Sequence, residues 1–283
     1  MPKIAINGAT LVYEVLGHGP PVVFTPGGWS DMEIPRQLAE QLSSRYQVLI
    51  YDRRNCGASD IVIEDAPNEL GLWADDLHTL LGHLGMSPAY IGGASAGLLV
   101  SLLLAHRYPK DVKALFLHSI PTDNLQIIKF LADDRYFQPA VVAEGEGMQA
   151  VIETSPWIAD GVERNPTNRK RLLSMDPKEF ASIMRRWGTG FTSSRTHLAG
   201  LTDEELSRLT APVFIAPGLD EYHPLHTAEE LHRLLPNSEL MVYSEHFSSA
   251  EIDELRQQEI KAEAPCMITI YDAFMARVET ERS

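Results

Sequence analysis

The stretch Ile91-Gly92-Gly93-Ala94-Ser95-Ala96-Gly97-Leu98 constrains this chain more than any other. It reads Gly93-x-Ser95-x-Gly97 between a short strand-like run, Ala89-Tyr90-Ile91, and an apolar helix-like run from Leu98 to Ala105. So tight a strand-to-helix turn strains its central serine and is tolerated only where the neighbours are small, as Gly93, Ala94, Ala96 and Gly97 are. The turn lifts the Ser95 hydroxyl clear of the sheet, above the positive end of the following helix, where an oxyanion is stabilised. An incidental serine in a glycine-rich turn is the bland alternative. The strand before and the helix after argue against it.

A serine activated in this way needs an acid and a histidine, each in a loop after a later strand. Val213-Phe214-Ile215-Ala216 is a short apolar run broken by Pro217-Gly218-Leu219-Asp220, and Leu240-Met241-Val242-Tyr243 is followed by Ser244-Glu245-His246. Ser95, Asp220 and His246 therefore occur in the order serine, acid, histidine, each past a strand's carboxyl end, where a parallel sheet binds its ligands. Two competitors rank lower. Asp123 follows the strand-like run Val112 to Leu117 and is an alternative acid. His223 lies three residues after Asp220, whereas acid and base are expected from different strand ends.

With these residues in place, the chain resembles the α/β-hydrolase superfamily over nearly its whole length. Val22-Val23-Phe24-Thr25-Pro26-Gly27-Gly28-Trp29 is similar to the family's strand and oxyanion loop, with Pro26 where histidine is common. Tyr51-Asp52-Arg53-Arg54-Asn55-Cys56-Gly57-Ala58-Ser59 resembles its Asp-x-Arg-Gly-x-Gly-x-Ser turn. There Asn55 replaces a glycine, a mild change because asparagine tolerates left-handed backbone. The resemblance implies a serine-dependent acyl transfer to water, with the backbone N–H groups of Gly28 and Ala96 as the oxyanion hole. A carboxylic-ester or lactone hydrolase ranks first. A carbon–carbon bond hydrolase of aromatic-ring breakdown and a cofactor-free perhydrolase follow. A slow-turnover small-molecule receptor is the reading from another class.

Alternation of strand and helix predicts a mostly parallel, doubly wound sheet, with an edge strand over Thr10 to Val15. The strand signals stop between about Pro121 and Leu209, where helical stretches are broken by Pro139, Pro156, Pro166 and Pro177. The expected organisation is a core of residues 1–120 and 210–283 with a helical cap, 121–209, inserted. Trp157 and Trp187 in this cap, with Trp29 beside the oxyanion loop, are assigned to a pocket for a small substrate with an apolar part.

The chain has 283 residues, 44% of them hydrophobic, enough for a large core. A net charge of -15 argues against nucleic acid or an anionic membrane as partner. No run approaches a membrane span of roughly 18 apolar residues. The start, Met1-Pro2-Lys3-Ile4, lacks a signal peptide's apolar stretch, and Cys56 and Cys266 are too few for a disulfide framework. A cytoplasmic protein without cofactor or metal is expected. A homodimer is left open.

Overall fold

The computed structural model describes residues 1–28, 30–193, 195–249, 252 and 265–282. Eight strands form one sheet: β1 Lys3–Ile6, β2 Ala9–Leu16, β3 Pro21–Thr25, β4 Gln47–Tyr51, β5 Ala89–Ala94, β6 Val112–His118, β7 Val213–Ala216 and β8 Ser238–Leu240. Their spatial order is β1-β2-β4-β3-β5-β6-β7-β8. The β1–β2 and β2–β4 pairings are antiparallel, and every pairing from β4 to β8 is parallel.

Two details differ from the sequence expectation. The strand expected at the edge is β2, and β1 covers it through a turn at Asn7-Gly8, both at positive φ (46° and 80°). Asn-Gly is the residue pair that two-residue hairpin turns favour. At the other edge β8 ends at Leu240, and Tyr243 already opens a short helix.

Successive residues of a strand face opposite sides, so each sheet face builds its own core. Val23, Ile91, Leu115 and Leu117 pack against helices α2 (Glu69–Leu84), α3 (Ala96–Arg107) and α11 (Leu225–Leu234). Val22, Phe24, Tyr90 and Phe116 pack against α1 (Arg36–Leu42) and α13 (Pro265–Arg282) through Leu38, Leu42, Tyr271 and Phe274. Helix α2 is well delimited. The Asn68 side chain accepts from Gly71 N–H at its start, and Gly85 closes it in the left-handed conformation (φ 64°).

Between β6 and β7 the described chain is helical: α4 Leu125–Ala132, α5 Gln138–Glu146, α6 Met148–Thr154, α7 Pro156–Arg164, α8 Thr167–Leu173, α9 Pro177–Phe191 and α10 Asp203–Ser207. A π-turn, Asp133–Phe137, joins α4 to α5. This segment has its own apolar core, including Trp157, Ile158, Phe180, Met184 and Trp187. Buried polar bonds fasten it to the sheet domain. Asn168 accepts from Ile61 N–H (2.8 Å) and donates to Ser59 O (3.1 Å). Glu69 on α2 takes a fork of two bonds from Arg135 (2.9 and 2.7 Å) plus bonds from Tyr136 and Asn55 (2.8 Å each). A short helix, α12 (Tyr243–His246), follows β8 and precedes α13.

Candidate active site

Ser95 stands between β5 and α3 with φ 50° and ψ −120°, a conformation costly for a residue with a Cβ. The surrounding glycines make it feasible. A Cβ on Gly93 would lie 2.4 Å from the Gly97 carbonyl, and one on Gly97 would lie 2.1 Å from Thr25 O. Ser95 N–H is anchored on His118 O (3.1 Å) in β6. Its hydroxyl is free to meet a partner across the sheet edge.

That partner is His223. Its Nε2 is 3.0 Å from Ser95 Oγ, and its Nδ1 is 3.0 and 3.1 Å from the two oxygens of Asp220. A carboxylate only accepts, so Nδ1 carries the proton and Nε2 is left to accept from the serine hydroxyl. The loop after β7 curls to make this possible. Asp220 Oδ1 accepts from the N–H groups of Tyr222 and His223 (2.8 Å each), and Gly218 lies so close to His223 that a Cβ there would be 2.2 Å from the histidine Cβ.

The sequence expectation is therefore corrected at the histidine. Where the sequence assigns His246 as the base, it is His223 that joins Ser95 to Asp220 among the described side chains. Acid and base need not come from different strand ends, because an Asx-type turn returns the chain within three residues. His246 ends α12, and its side chain lies outside the described residues.

Gly28 (φ 47°) lies on the loop after β3 and borders the same space as Ser95. Ala96 opens α3, where first-turn N–H groups lack intrahelical partners. Trp29 lies outside the described residues. The Asp52 turn braces this loop. Its carboxylate accepts from Met32 N–H (2.8 Å) and Ala58 N–H (2.7 Å), and Asn55 has the left-handed φ of 64° expected of it. Burial raises the Asp52 pKa, against those two backbone bonds.

Two cavities meet at Ser95, Gly28, Tyr222 and His223. One, about 220 Å³, lies toward the helical segment and is mainly apolar, with Leu99, Pro121, Ile128, Leu131 and Phe191 in its wall. The other, about 540 Å³, runs the opposite way past Glu33, Ile34, Phe116 and His118. His118 is buried, with Nδ1 2.8 Å from Ser119 Oγ and no hydrogen-bond partner for Nε2 among the described residues. Burial, aided by the charge of His223, lowers its pKa to about 4.

Trp157 and Trp187 line neither cavity, which corrects their assignment to the substrate pocket. Both are buried in the core of the helical segment. Their indole N–H groups donate to Arg135 O (3.2 Å) and Ala66 O (3.0 Å). Large amphipathic rings with one polar atom to satisfy are suited to that position. Among the described residues no three His, Cys, Asp or Glu side chains group as a metal site, and no helix is long and apolar enough to cross a membrane.

A strained serine at a strand-to-helix turn, bonded through a histidine to a carboxylate at the end of a mostly parallel sheet, defines a class that the comparisons identify. Residues 20–250 match the model of the alpha/beta hydrolase fold, and the chain belongs to that family. It is 31% identical over 115 residues to the uncharacterized hydrolase YraK of Bacillus subtilis. That match covers 41% of this chain and 42% of YraK, so the chain spans less than half the length of that relative. Among solved structures it is similar to MGS-M2, an α/β hydrolase enzyme from a Medee basin deep-sea metagenome library (20% identity, TM-score 0.60, 90% of this chain and 94% of that one). It is also similar to the enol-lactonase of Burkholderia xenovorans LB400 (20% identity, TM-score 0.57, 91% and 97%). At these identities the structural likenesses speak for the fold alone.

Proposed function

We propose that this protein is a serine hydrolase that cleaves a small carboxylic ester or lactone through an acyl-enzyme on Ser95. The observation that carries the reading is the Ser95–His223–Asp220 relay, with 3.0 Å at each of its two joints. His223 takes the Ser95 proton as the oxygen attacks the carbonyl carbon, and Asp220 holds the imidazole in the required tautomer. The N–H groups of Gly28 and Ala96 receive the developing oxyanion. His223 then returns the proton to the leaving oxygen, and a water activated by the same nitrogen releases the acid. The helical segment acts as the lid. Its 220 Å³ apolar chamber suits the organic part of the substrate.

The size of that chamber supports a small substrate. A cavity of about 150 Å³ lined by apolar side chains holds one benzene. The chamber here takes a group of that size with room for a short extension.

The test combines labelling with turnover. A fluorophosphonate is expected to label Ser95, and Ser95→Ala to lose hydrolysis of p-nitrophenyl esters and simple lactones while keeping the wild-type melting temperature. Full activity in the alanine variant overturns the assignment. Turnover confined to amides or to diketones would move the substrate class and leave the relay in place.

A further inference from the structure

Arg53 is 1% exposed, yet among the described residues no carboxylate pairs with it. The chain treats its other buried arginines differently: Arg54 pairs with Asp76, and Arg135 with Glu69. An unpaired buried charge is expensive, so what compensates Arg53 indicates what it serves. Its Nη2 donates to Gly28 O (2.6 Å) and, at longer range, to Gly27 O (3.4 Å). Its guanidinium carbon lies 4.2 Å from the centre of the Trp73 ring, a favourable cation–π distance. Nε and Nη1 have no hydrogen-bond partner among the described residues.

Direct contact with the substrate is not what this arrangement provides, since Arg53 lines neither of the cavities beside Ser95. Its charge is directed at the loop that borders them. The Gly27 carbonyl and the Gly28 N–H belong to one planar peptide and, being trans, point in opposite directions. A cation on the carbonyl side fixes that plane and strengthens the N–H on the far side as a donor. The tighter bond to Gly28 O fixes the next peptide as well, beside a turn in which Gly27 O also accepts from Ser30 N–H (3.0 Å) and Gly28 takes φ 47°. Arg53 is itself fixed, because the ring it stacks on is held by the Trp73 indole N–H donating to Arg54 O (3.0 Å).

From this geometry we infer that Arg53 is a positioning residue for the oxyanion hole, holding and polarising the Gly27–Gly28 peptide from the side away from the cavities. The inference rests on the acyl-transfer reading of Ser95. It assigns to a charged group outside the relay part of the stabilisation of the tetrahedral intermediate.

The experiment compares wild type, Arg53→Lys and Arg53→Met, with reactive serines counted by fluorophosphonate so that rates are expressed per folded site. Three quantities are read: kcat and KM on p-nitrophenyl butyrate, and inhibition by a phenylboronic acid, whose serine adduct carries an oxygen into the oxyanion hole. Losing one oxyanion donor outright costs about 10²–10³ in kcat, so a loosened donor in Arg53→Lys is expected to cost about tenfold. KM should stay within the same range, boronate affinity should fall in parallel with kcat, and Arg53→Met should be lower still. If Met prevents folding, the lysine variant decides alone. Wild-type kcat and boronate affinity per site in Arg53→Lys, whatever the yield of folded protein, overturn the inference. Absence of Ser95-dependent turnover in the wild type would instead overturn the acyl-transfer reading before Arg53 is tested.

Discussion

Asp220 and His223 lie three residues apart on one loop, and the imidazole Nδ1 sits within 3.1 Å of both carboxylate oxygens. The loop that carries the acid thus also carries the histidine facing Ser95. Tyr222 and His223 N–H both bond Asp220 Oδ1, so the carboxylate shapes the loop and orients the ring at once. Replacing Asp220 would loosen both, and its loss cannot be read as the loss of one ion pair.

The first prediction separates the two histidines. His223→Ala should lower kcat/KM for an ester by about 10⁴-fold or more, as removal of a relay member does, and Ser95→Ala/His223→Ala should be little worse than either single change. His246→Ala should leave turnover within the order of magnitude of the wild type. Steady-state kinetics per titrated site check this. A collapse in His246→Ala with His223→Ala active would reverse the assignment.

Much of this arrangement was readable from residue order. The small residues around Ser95, the acid after β7 and the left-handed Asn55 follow from local steric rules that a sequence displays directly. His223 ranked below His246, because its placement depends on Asp220 capping its own loop and on Gly218 admitting the histidine Cβ. Neither leaves a periodic trace. The tryptophans fail for another reason: an aromatic ring has the same pattern whether it fills a core or faces a cavity. Only the partner of its N–H tells the two apart, and for Trp187 that is Ala66 O, far along the chain. Strand β1 did leave a trace, the Asn7-Gly8 pair, in a run of four residues too short to signal itself by alternation.

The second prediction concerns selectivity. Phe191 and Ile128 wall the apolar chamber beside Ser95, whereas Trp157 and Trp187 do not. Phe191→Ala should shift preference toward longer acyl chains and Ile128→Phe toward shorter ones. One methylene in such a pocket is worth about 1–3 kcal/mol, so relative kcat/KM should move by tenfold or more. Trp157→Phe and Trp187→Phe should lower the melting temperature and leave the chain-length profile in place. A p-nitrophenyl ester series from acetate to octanoate distinguishes the two patterns.

A third prediction addresses the attachment of the helical segment. Glu69 is 2% and Arg135 0% exposed, and the carboxylate accepts four hydrogen bonds. Burial opposes the Arg135 charge, but Glu69 together with Tyr136 and Cys56 outweighs it, so the arginine pKa is raised. Glu69→Gln removes the carboxylate that faces this buried charge and should destabilise the fold by about 3–5 kcal/mol. Glu69→Gln/Arg135→Met should cost less than the sum of the two single changes, since no unpaired charge remains. Urea midpoints at constant m-value measure both. Additive losses would mean that the pair is not coupled.

The last prediction is a pH dependence located at one residue. Burial, with the charge of His223 beside it, lowers the His118 pKa to about 4, below the ordinary histidine value of 6.5. Between those two values the unfolded chain holds a proton that the folded chain does not. His118 therefore contributes its full stability above about pH 6.5 and loses it as the pH falls toward 4. From pH 7 to 4.5 the loss through this one group should be roughly 2–3 kcal/mol. His118→Asn keeps a polar atom near Ser119 Oγ and removes the titration. Wild type and variant unfolded in urea at both pH values should differ in their acid losses by that amount, because carboxylates common to both cancel in the comparison. Parallel decline of the two proteins would show that His118 takes up no extra proton on unfolding, and the acid sensitivity would then belong to other groups.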